Sequence, residues 1–459
     1  MKQQDTIVAI STPPGIGAIG VIRISGKEAI SIVNKVFTKD IAETKGYRMR
    51  YGSILKGEEI LDEVVLGIFR GPKSFTREDV VEISCHGSPY ILGEIMKVLL
   101  AGGARPAEAG EFTQRAFLNG AMDLAQAEAV ADLIASSTAA SHRMALNQLR
   151  GGVSNELKAL REQLLNFTSL IELELDFGEE DVEFADRSQL EALIQQMLEK
   201  IGSLIDSFQL GNAIKQGVPT VILGKPNAGK STLLNSLLKD NRAIVSDIPG
   251  TTRDVIEDRM VIGGIEFRLM DTAGVRETTD VIEREGVSRS LNLAQKASLV
   301  LYVFDLNQES PQEAEAYIHS LHLPQETRVL LVGNKVDLFK TRGMHSQRSV
   351  TPPPANFLLI SAKMGSNLDQ LHQRMVETVK SFSTSQQDQT LISNVRHLDA
   401  LQKALDALKE VQQGMEMGVS GDLLSIDIRT VLHYIGEITG EISTDEVLGN
   451  IFGKFCIGK

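Results

Sequence analysis

The residues with the plainest chemistry are Gly224-Lys225-Pro226-Asn227-Ala228-Gly229-Lys230-Ser231, which follow the apolar run Val218 to Leu223 and lead into Thr232-Leu233-Leu234. A glycine-rich turn between a strand and a helix aims backbone N–H groups at one point, and the helix N-terminus adds its own positive field. An anion with the geometry of phosphate suits such a cradle. In this G-x-x-x-x-G-K-S spacing, Asn227, Ala228, Gly229 and Thr232 line the cradle, Lys230 brings a point charge to the outer phosphates, and the Ser231 hydroxyl can ligate Mg²⁺.

A second group of residues suits a base. The apolar run Arg328 to Val332 ends in Gly333-Asn334-Lys335-Val336-Asp337. The Asp337 carboxylate can accept from both the N1–H and the exocyclic amine of guanine, a donor pair that adenine lacks. Asn334 and Lys335 would support the loop and the base, and Ser361-Ala362-Lys363, after the run Phe357 to Ile360, would meet the base oxygen through backbone N–H. Asp271-Thr272-Ala273-Gly274 follows the run Ile265 to Met270, placing Asp271 for a water-mediated contact to Mg²⁺ and Gly274 beside a γ-phosphate. Thr251-Thr252-Arg253-Asp254 offers Thr252 as a further Mg²⁺ ligand. In their order these segments resemble the nucleotide motifs of GTPases, so GTP and GDP are the expected ligands. Ras-like proteins place Gln after the switch glycine, where this chain has Val275. Another group must therefore orient the attacking water.

Motifs of this kind need a parallel sheet with flanking helices to hold them. Residues 217–381 alternate apolar runs with helical stretches and read as an inserted Ras-like P-loop GTPase domain. Helical periodicity flanks it on both sides. Leu157, Leu160, Leu164, Phe167 and Ile171 share one face, as do Leu190, Ile194, Met197, Ile201, Leu204 and Phe208. After the insertion come Leu398, Leu401, Leu405 and Leu408, then Leu424, Ile428, Val431 and Ile435. Residues 120–216 and 382–459 therefore read as two parts of a discontinuous helical bundle whose halves pack together. Residues 1–119 mix short apolar runs (Thr6 to Ile10, Gly20 to Ile24, Val64 to Phe69, Val80 to Ser84) with a helical stretch near Tyr90 to Leu100, giving an N-terminal α/β domain. The expected fold class is thus α/β and all-α multidomain. The acidic stretch Glu172 to Asp186 reads as a solvated connection between helices.

Bulk properties set the bounds. A chain of 459 residues exceeds what one core usually serves, at roughly 150 residues per domain. No apolar run approaches the ~20 residues that span a bilayer, and the start of the chain lacks a basic, apolar signal pattern, so the cytoplasm is expected. The formal charge of -13 repels nucleic acid globally, so an RNA partner would have to meet a local basic patch. Two cysteines exclude a disulfide-stapled scaffold, and both thiols are expected to stay reduced. Cys85, near the end of a strand run, reads as a small buried hydrophobe, and His86 beside it finds no partner at zinc-ligand spacing.

The domain order, the segments Thr12-Pro13-Pro14-Gly15 and Gly110-Glu111-Phe112-Thr113-Gln114-Arg115-Ala116-Phe117-Leu118-Asn119, and the tail Phe455-Cys456-Ile457-Gly458-Lys459 resemble one family over essentially the whole chain. It is the MnmE (TrmE) family of tRNA modification GTPases, within the TrmE-Era-EngA-like P-loop GTPases. The resemblance implies a potassium-stimulated GTP hydrolase. With a flavin-dependent MnmG-like partner, it adds an aminomethyl or carboxymethylaminomethyl group to C5 of the tRNA wobble uridine (U34). The N-terminal domain would bind the one-carbon donor, a 5,6,7,8-tetrahydrofolate derivative (5-formyl or 5,10-methylene), and would form a homodimer. Asn227 with Ser246, Ile248 and Thr251, in the loop Ser246-Asp247-Ile248-Pro249-Gly250-Thr251, matches the family's K⁺ site, and Glu283 matches the glutamate that orients water. Arg23, Glu82 and Lys459 match folate contacts, whereas Ala121 stands where family members carry Lys and would weaken one contact. Cys456 matches the tail cysteine expected near the chemistry. Two other classes, a ribosome-assembly GTPase and a scaffold GTPase without modification chemistry, share the nucleotide motifs. The first would need an RNA-binding module, and no KH signature or long basic tail stands out.

Overall fold

Alternating burial along the N-terminal strands builds a mainly antiparallel sheet, in this computed structural model, which describes residues 5–176, 186–241, 258–270, 292–341, 356–382 and 390–458. The elements are β1 (Ile7–Ile10), β2 (Ile19–Ser25), α1 (Ala29–Val36), β3 (Arg48–Lys56), β4 (Glu59–Phe69), β5 (Val80–His86), α2 (Pro89–Ala101) and β6 (Arg105–Pro106). The sheet order is β3-β4-β5-β2-β1-β6, with β6 joining parallel to β1. Ile22, Ile24, Leu66, Ile68, Val81 and Ile83 point into one core together with Ile32 and Val33 of α1 and Ile95 and Leu99 of α2. Helices α3 (Glu111–Leu118), α4 (Leu124–Ala135), α5 (Ala139–Leu149), α6 (Gly152–Asp176) and α7 (Arg187–Gln216) follow.

The central segment forms a second sheet. Its elements are β7 (Val218–Leu223), α8 (Lys230–Asn241), β8 (Asp258–Ile262), β9 (Ile265–Leu269), β10 (Leu299–Asp305), α9 (Pro311–Ser320), β11 (Arg328–Asn334), α10 (Val336–Thr341), β12 (Phe357–Leu359) and α11 (Leu368–Lys380). Strand order is β12-β11-β10-β7-β9-β8, parallel except for β8. The order reverses at β7, so a crevice opens beyond its carboxyl end, where open α/β sheets bind ligands. The chain ends with α12 (Val395–Glu416), α13 (Gly421–Thr439) and α14 (Asp445–Phe452).

Chain contacts divide into two compact units, Met1–Ile134 with Leu146–Gln195 and Lys403–Lys459, and Ala135–Ala145 with Gln196–Gln402. Within the first, α6 packs along α13, burying Leu157, Leu164 and Ile171 on one side and Leu424, Ile428, Val431 and Ile435 on the other.

Several elements differ from the sequence reading. Strand β10 carries no alternation, because a central strand of a parallel sheet is covered on both faces and all seven of its residues are buried. On α12 the fully buried face is Ala400, Leu401, Ala404, Leu408 and Val411, while Leu398 and Leu405 are only half-buried. Alanines that let a neighbour approach closely leave a weak hydrophobic signal. Glu172–Asp176 belong to the last turns of α6 rather than to a connection, and Glu172 accepts from Arg429 Nε at 3.0 Å; residues 177–185 lie outside the described residues.

A charged knot fixes the N-terminal strand to α3. Arg115, 7% exposed, donates to the Asp5 carboxylate (2.9 Å), the Asp5 carbonyl (2.8 Å), Glu78 (3.2 Å) and Glu111 (2.9 Å). Hydrogen bonding from Arg105 leads in holding Asp5 below its ordinary value of 3.8. For Glu111, burial pushes the pKa up, but Arg105, the Glu108 N–H and Arg115 together bring it below 4.5. Depressed carboxyl values mean that this stabilisation is present above the unfolded values and is lost as pH falls through the folded ones. Replacing one partner leaves buried carboxylates uncompensated. Arg115→Met is therefore expected to destabilise the first unit by about 3–5 kcal/mol at neutral pH. Its loss relative to the wild type should shrink in acid, where the carboxylates protonate in both. Thermal melts from neutral to acid pH check this, and a deficit that is constant with pH would contradict it.

Candidate functional site

At the carboxyl edge of the second sheet three loops meet. Residues 224–229 leave β7 as a turn in which Gly224 has φ +152°, Asn227 +61° and Gly229 +98°. A Cβ on Gly224 would lie 2.0 Å from the Val303 carbonyl oxygen of β10, and one on Gly229 would lie 2.2 Å from Asn334 Nδ2. Glycine is required at both places because backbone and a buried amide pass where a side chain would be. Lys230 opens α8, and its Nζ donates back to the Gly224 and Lys225 carbonyls at 2.8 and 2.9 Å. Ser231 and Thr232 complete the first turn of that helix.

Asn334, 3% exposed at the end of β11, ties the loops together. Its Nδ2 donates to the Ala228 carbonyl at 2.9 Å, and its Oδ1 accepts from the Ala362 N–H at 3.0 Å. Ser361 Oγ donates to Asp337 Oδ1 at 2.6 Å and accepts from the Met364 N–H. Ser236 Oγ of α8 donates to the Ala362 carbonyl at 2.9 Å. Thus Asn227 to Thr232, Asn334 to Asp337 and Ser361 to Lys363 converge at one edge of the sheet.

Two acidic residues absent from the sequence reading also reach these loops. Asp305 Oδ2 pairs with Lys335 Nζ at 2.8 Å, and Glu309 Oε1 pairs with Lys225 Nζ at 3.1 Å. Asp305 lies directly opposite Asn334 in the β10–β11 ladder, a register that spacing along the chain does not show. The segments Ser246 to Thr252 and Asp271 to Val275, together with Glu283 and Lys459, lie outside the described residues.

The first unit carries a separate polar cluster. Arg23 and Glu82 are cross-strand partners of β2 and β5. Arg23 Nη2 and Nε both donate to Glu82 Oε1, at 2.8 and 3.0 Å. The guanidinium carbon sits 5.5 Å from the Phe75 ring centroid and 5.6 Å from that of Phe112. The C-terminal tail docks alongside. Ile457 bridges Ala109, and the Gly458 carbonyl accepts from Ser11 Oγ at 3.1 Å and Arg23 Nη1 at 3.4 Å. Gly458 has φ +93°, and a Cβ there would lie 2.4 Å from the Ile10 carbonyl, so the tail approaches only because this residue is glycine. Cys456 is exposed within the docked tail. Ala121, exposed just after α3, offers only a methyl group. Cys85 is buried, with Sγ donating to the Gly20 carbonyl at 3.5 Å, and burial pushes its thiol up to about 11. That makes it unreactive at neutral pH. His86 Nδ1 meets Asp62 at 2.7 Å, and no group of three His, Cys, Asp or Glu among the described residues is placed to hold a metal.

Comparison with known proteins completes this picture. The family model described as "MnmE helical domain" matches residues 124–456, and that described as "GTP-binding protein TrmE N-terminus" matches residues 6–121. The chain belongs to the MnmE family. A tRNA modification GTPase MnmE from Cytophaga hutchinsonii is 54% identical over 99% of this chain and 98% of its own length. MnmE proteins from Christiangramia forsetii (49% identity, 100% of each chain) and Bacteroides fragilis (51%, 99% and 100%) are similar over comparable spans. Among solved structures, Aquifex aeolicus Era bound to GDP·AlF4⁻ is 27% identical over 41% of this chain and 65% of that chain, with a TM-score of 0.24. No helix among the described residues is long and apolar enough to cross a membrane.

The Asn334 bridge can be tested on this MnmE-family chain without ligand. Asn334→Ala orphans the Ala228 carbonyl and the Ala362 N–H, and each buried group left unpaired costs about 1–3 kcal/mol. Urea unfolding of the second unit should shift to lower denaturant by a total of that order. An unchanged midpoint would show that the bridge does not hold the loops.

Proposed function

We propose that the chain binds and hydrolyses GTP where the three loops meet, and that this cycle serves modification of tRNA, as its relatives' shared name states of them. The carrying observation is the Asn334 bridge, which joins a loop of phosphate-binding spacing to the loops bearing Asp337 and Ser361. In this reading Asp337 accepts from guanine, the Lys363 N–H faces the base oxygen while that of Ala362 is held by Asn334, and Lys230 faces the outer phosphates. The bond from Ser361 restrains the Asp337 carboxylate, which supports this role.

Ser231 and Thr252 would hold Mg²⁺, with Asp271 reaching it through water and Gly274 beside the γ-phosphate. A K⁺ ion would be held by Asn227, Ser246, Ile248 and Thr251, and would stand near the transition-state charge that other GTPases meet with an arginine. Asn227 fits this role as an exposed amide at a left-handed turn of the phosphate loop. Glu283 would orient the attacking water in place of the glutamine replaced by Val275.

In the first unit, the Arg23–Glu82 pair beside the docked tail suits one end of a tetrahydrofolate derivative: the Glu82 carboxylate can accept from its pterin amino groups, and Arg23, bonded to Glu82 at 2.8 Å, would meet the same end. The pair is partly exposed, with side-chain exposures of 21% and 32%, so a ligand can compete for it. When bound, the folate supplies the one-carbon unit. Lys459 would add a charge there, Ala121 cannot, and Cys456, two residues before the Gly458 that meets Arg23, would serve from the same tail. A flavin-dependent partner, a homodimer and the wobble uridine complete the proposed reaction.

Reconstitution tests the whole reading. Full-length chain, flavin-dependent partner, one-carbon folate, tRNA and GTP should yield the modified wobble uridine in K⁺ and much less in Na⁺ at equal ionic strength. Cys456→Ser should keep GTP hydrolysis and lose modification. GTP hydrolysis that never supports modification would favour the scaffold reading, and indifference to the cation would remove the K⁺ site.

A further inference from the structure

We propose that Asp305 and Glu309 are positioning residues of the nucleotide site: a clamp of two buried carboxylates that fixes Lys225 of the phosphate loop and Lys335 of the base loop. This deepens the GTP-binding reading above and rests on it. Neither acid lies in a nucleotide motif, and each reaches the loops through a lysine.

Glu309 has a side chain only 3% exposed. The Tyr302 hydroxyl, itself buried, donates to it at 3.1 Å, which leaves a full negative charge in need of a cation. Lys225 answers that need although its own side chain is 61% exposed and could equally extend into water. The consequence falls on the backbone. The carbonyls of Gly224 and Lys225 accept from the Lys230 ammonium. Tethering Lys225 to Glu309 therefore fixes the platform from which Lys230 faces phosphate.

Asp305 does the same for the base loop. Its side chain, 8% exposed, accepts from Lys335 Nζ at 2.8 Å and from the Asn307 N–H and Nδ2 at 3.0 and 2.9 Å. Burial raises its pKa, but Lys335 and Asn307 more than offset that, so it lies below the ordinary 3.8 and the acid is ionised at neutral pH. Lys335 has φ +64°, a left-handed conformation that a lysine rarely adopts, and its ion pair opposes relaxation out of it.

The two acids are one mechanical piece. The Glu309 N–H donates to the Asp305 carbonyl at 3.0 Å, and Ser310 then starts α9 with a reciprocal cap to Glu313. An isolated exposed ion pair contributes little, but here the carboxylates are buried and cannot turn to solvent when their lysines leave. A nucleotide thus meets loops that are already ordered, and the ordering penalty of binding is reduced.

The test is a set of GDP dissociation constants for the full chain, with GTP hydrolysis measured on the same preparations. Glu309→Gln should weaken GDP roughly tenfold, and the saturated hydrolysis rate should fall by less than the affinity does, since the clamp acts chiefly by ordering the loops before the nucleotide binds. Lys225→Met should weaken GDP similarly, and the double variant should be no weaker than either single one, because both remove the same contact. Asp305→Asn should also weaken GDP. Lys225→Met alters a mostly exposed side chain, so it decides the matter even where a variant of the buried acid fails to fold. Unchanged GDP affinity in Lys225→Met or Glu309→Gln, or losses that add in the double variant, would overturn the clamp. Failure of the wild-type protein to bind GDP would instead overturn the nucleotide-site reading, and the clamp with it.

Discussion

One buried amide does most to define the nucleotide site. Asn334 spends its donor on the phosphate loop and its acceptor on the loop beginning at Ser361, so the separation of these two loops is set by the size of a single side chain. Gly229 has to be glycine because Asn334 passes where its Cβ would stand, and Gly224 has to be glycine because β10 does. The reversal of strand order at β7 opens the crevice, while these close approaches give it a fixed shape. Asparagine suits the post, because it offers one donor end and one acceptor end at a spacing that no charged residue reproduces.

The site was legible in the sequence to the extent that its chemistry sits in short contiguous stretches. The run 218–223 is observed as strand β7, and the helix begins at Lys230, because a glycine-rich turn between apolar strand and helix is a local pattern. What stayed hidden depends on register. Asp305 stands opposite Asn334 across two parallel strands, and Arg23 stands opposite Glu82 across two antiparallel ones. Neither pairing can be read from spacing along the chain, since it depends on how strands far apart in sequence align. Family resemblance offers Arg23 and Glu82 only as two separate folate contacts, and their bond to each other is seen first in the structure.

Packing hid other features for a different reason. Strand β10 is apolar throughout, so it carries no period, and the buried face of α12 is partly alanine, so its hydrophobic signal is faint. The tail of the chain is short and carries no period of its own, yet Gly458 lets it lie against β1, and Ser11 and Arg23 donate to its carbonyl. That docking brings the Gly458 carbonyl to Arg23 and the Cys456 carbonyl to the Gly110 N–H, contacts that no local reading of the tail would reveal.

Calorimetric titration of the nucleotide-free full-length chain tests most directly whether the Asn334-bridged loops form a guanine-selective site. GDP should bind saturably at one nucleotide per chain, while ADP, which lacks the donor pair that Asp337 accepts, should give no saturable heat over the same range. Equal binding of the two, or binding of neither, would contradict the account.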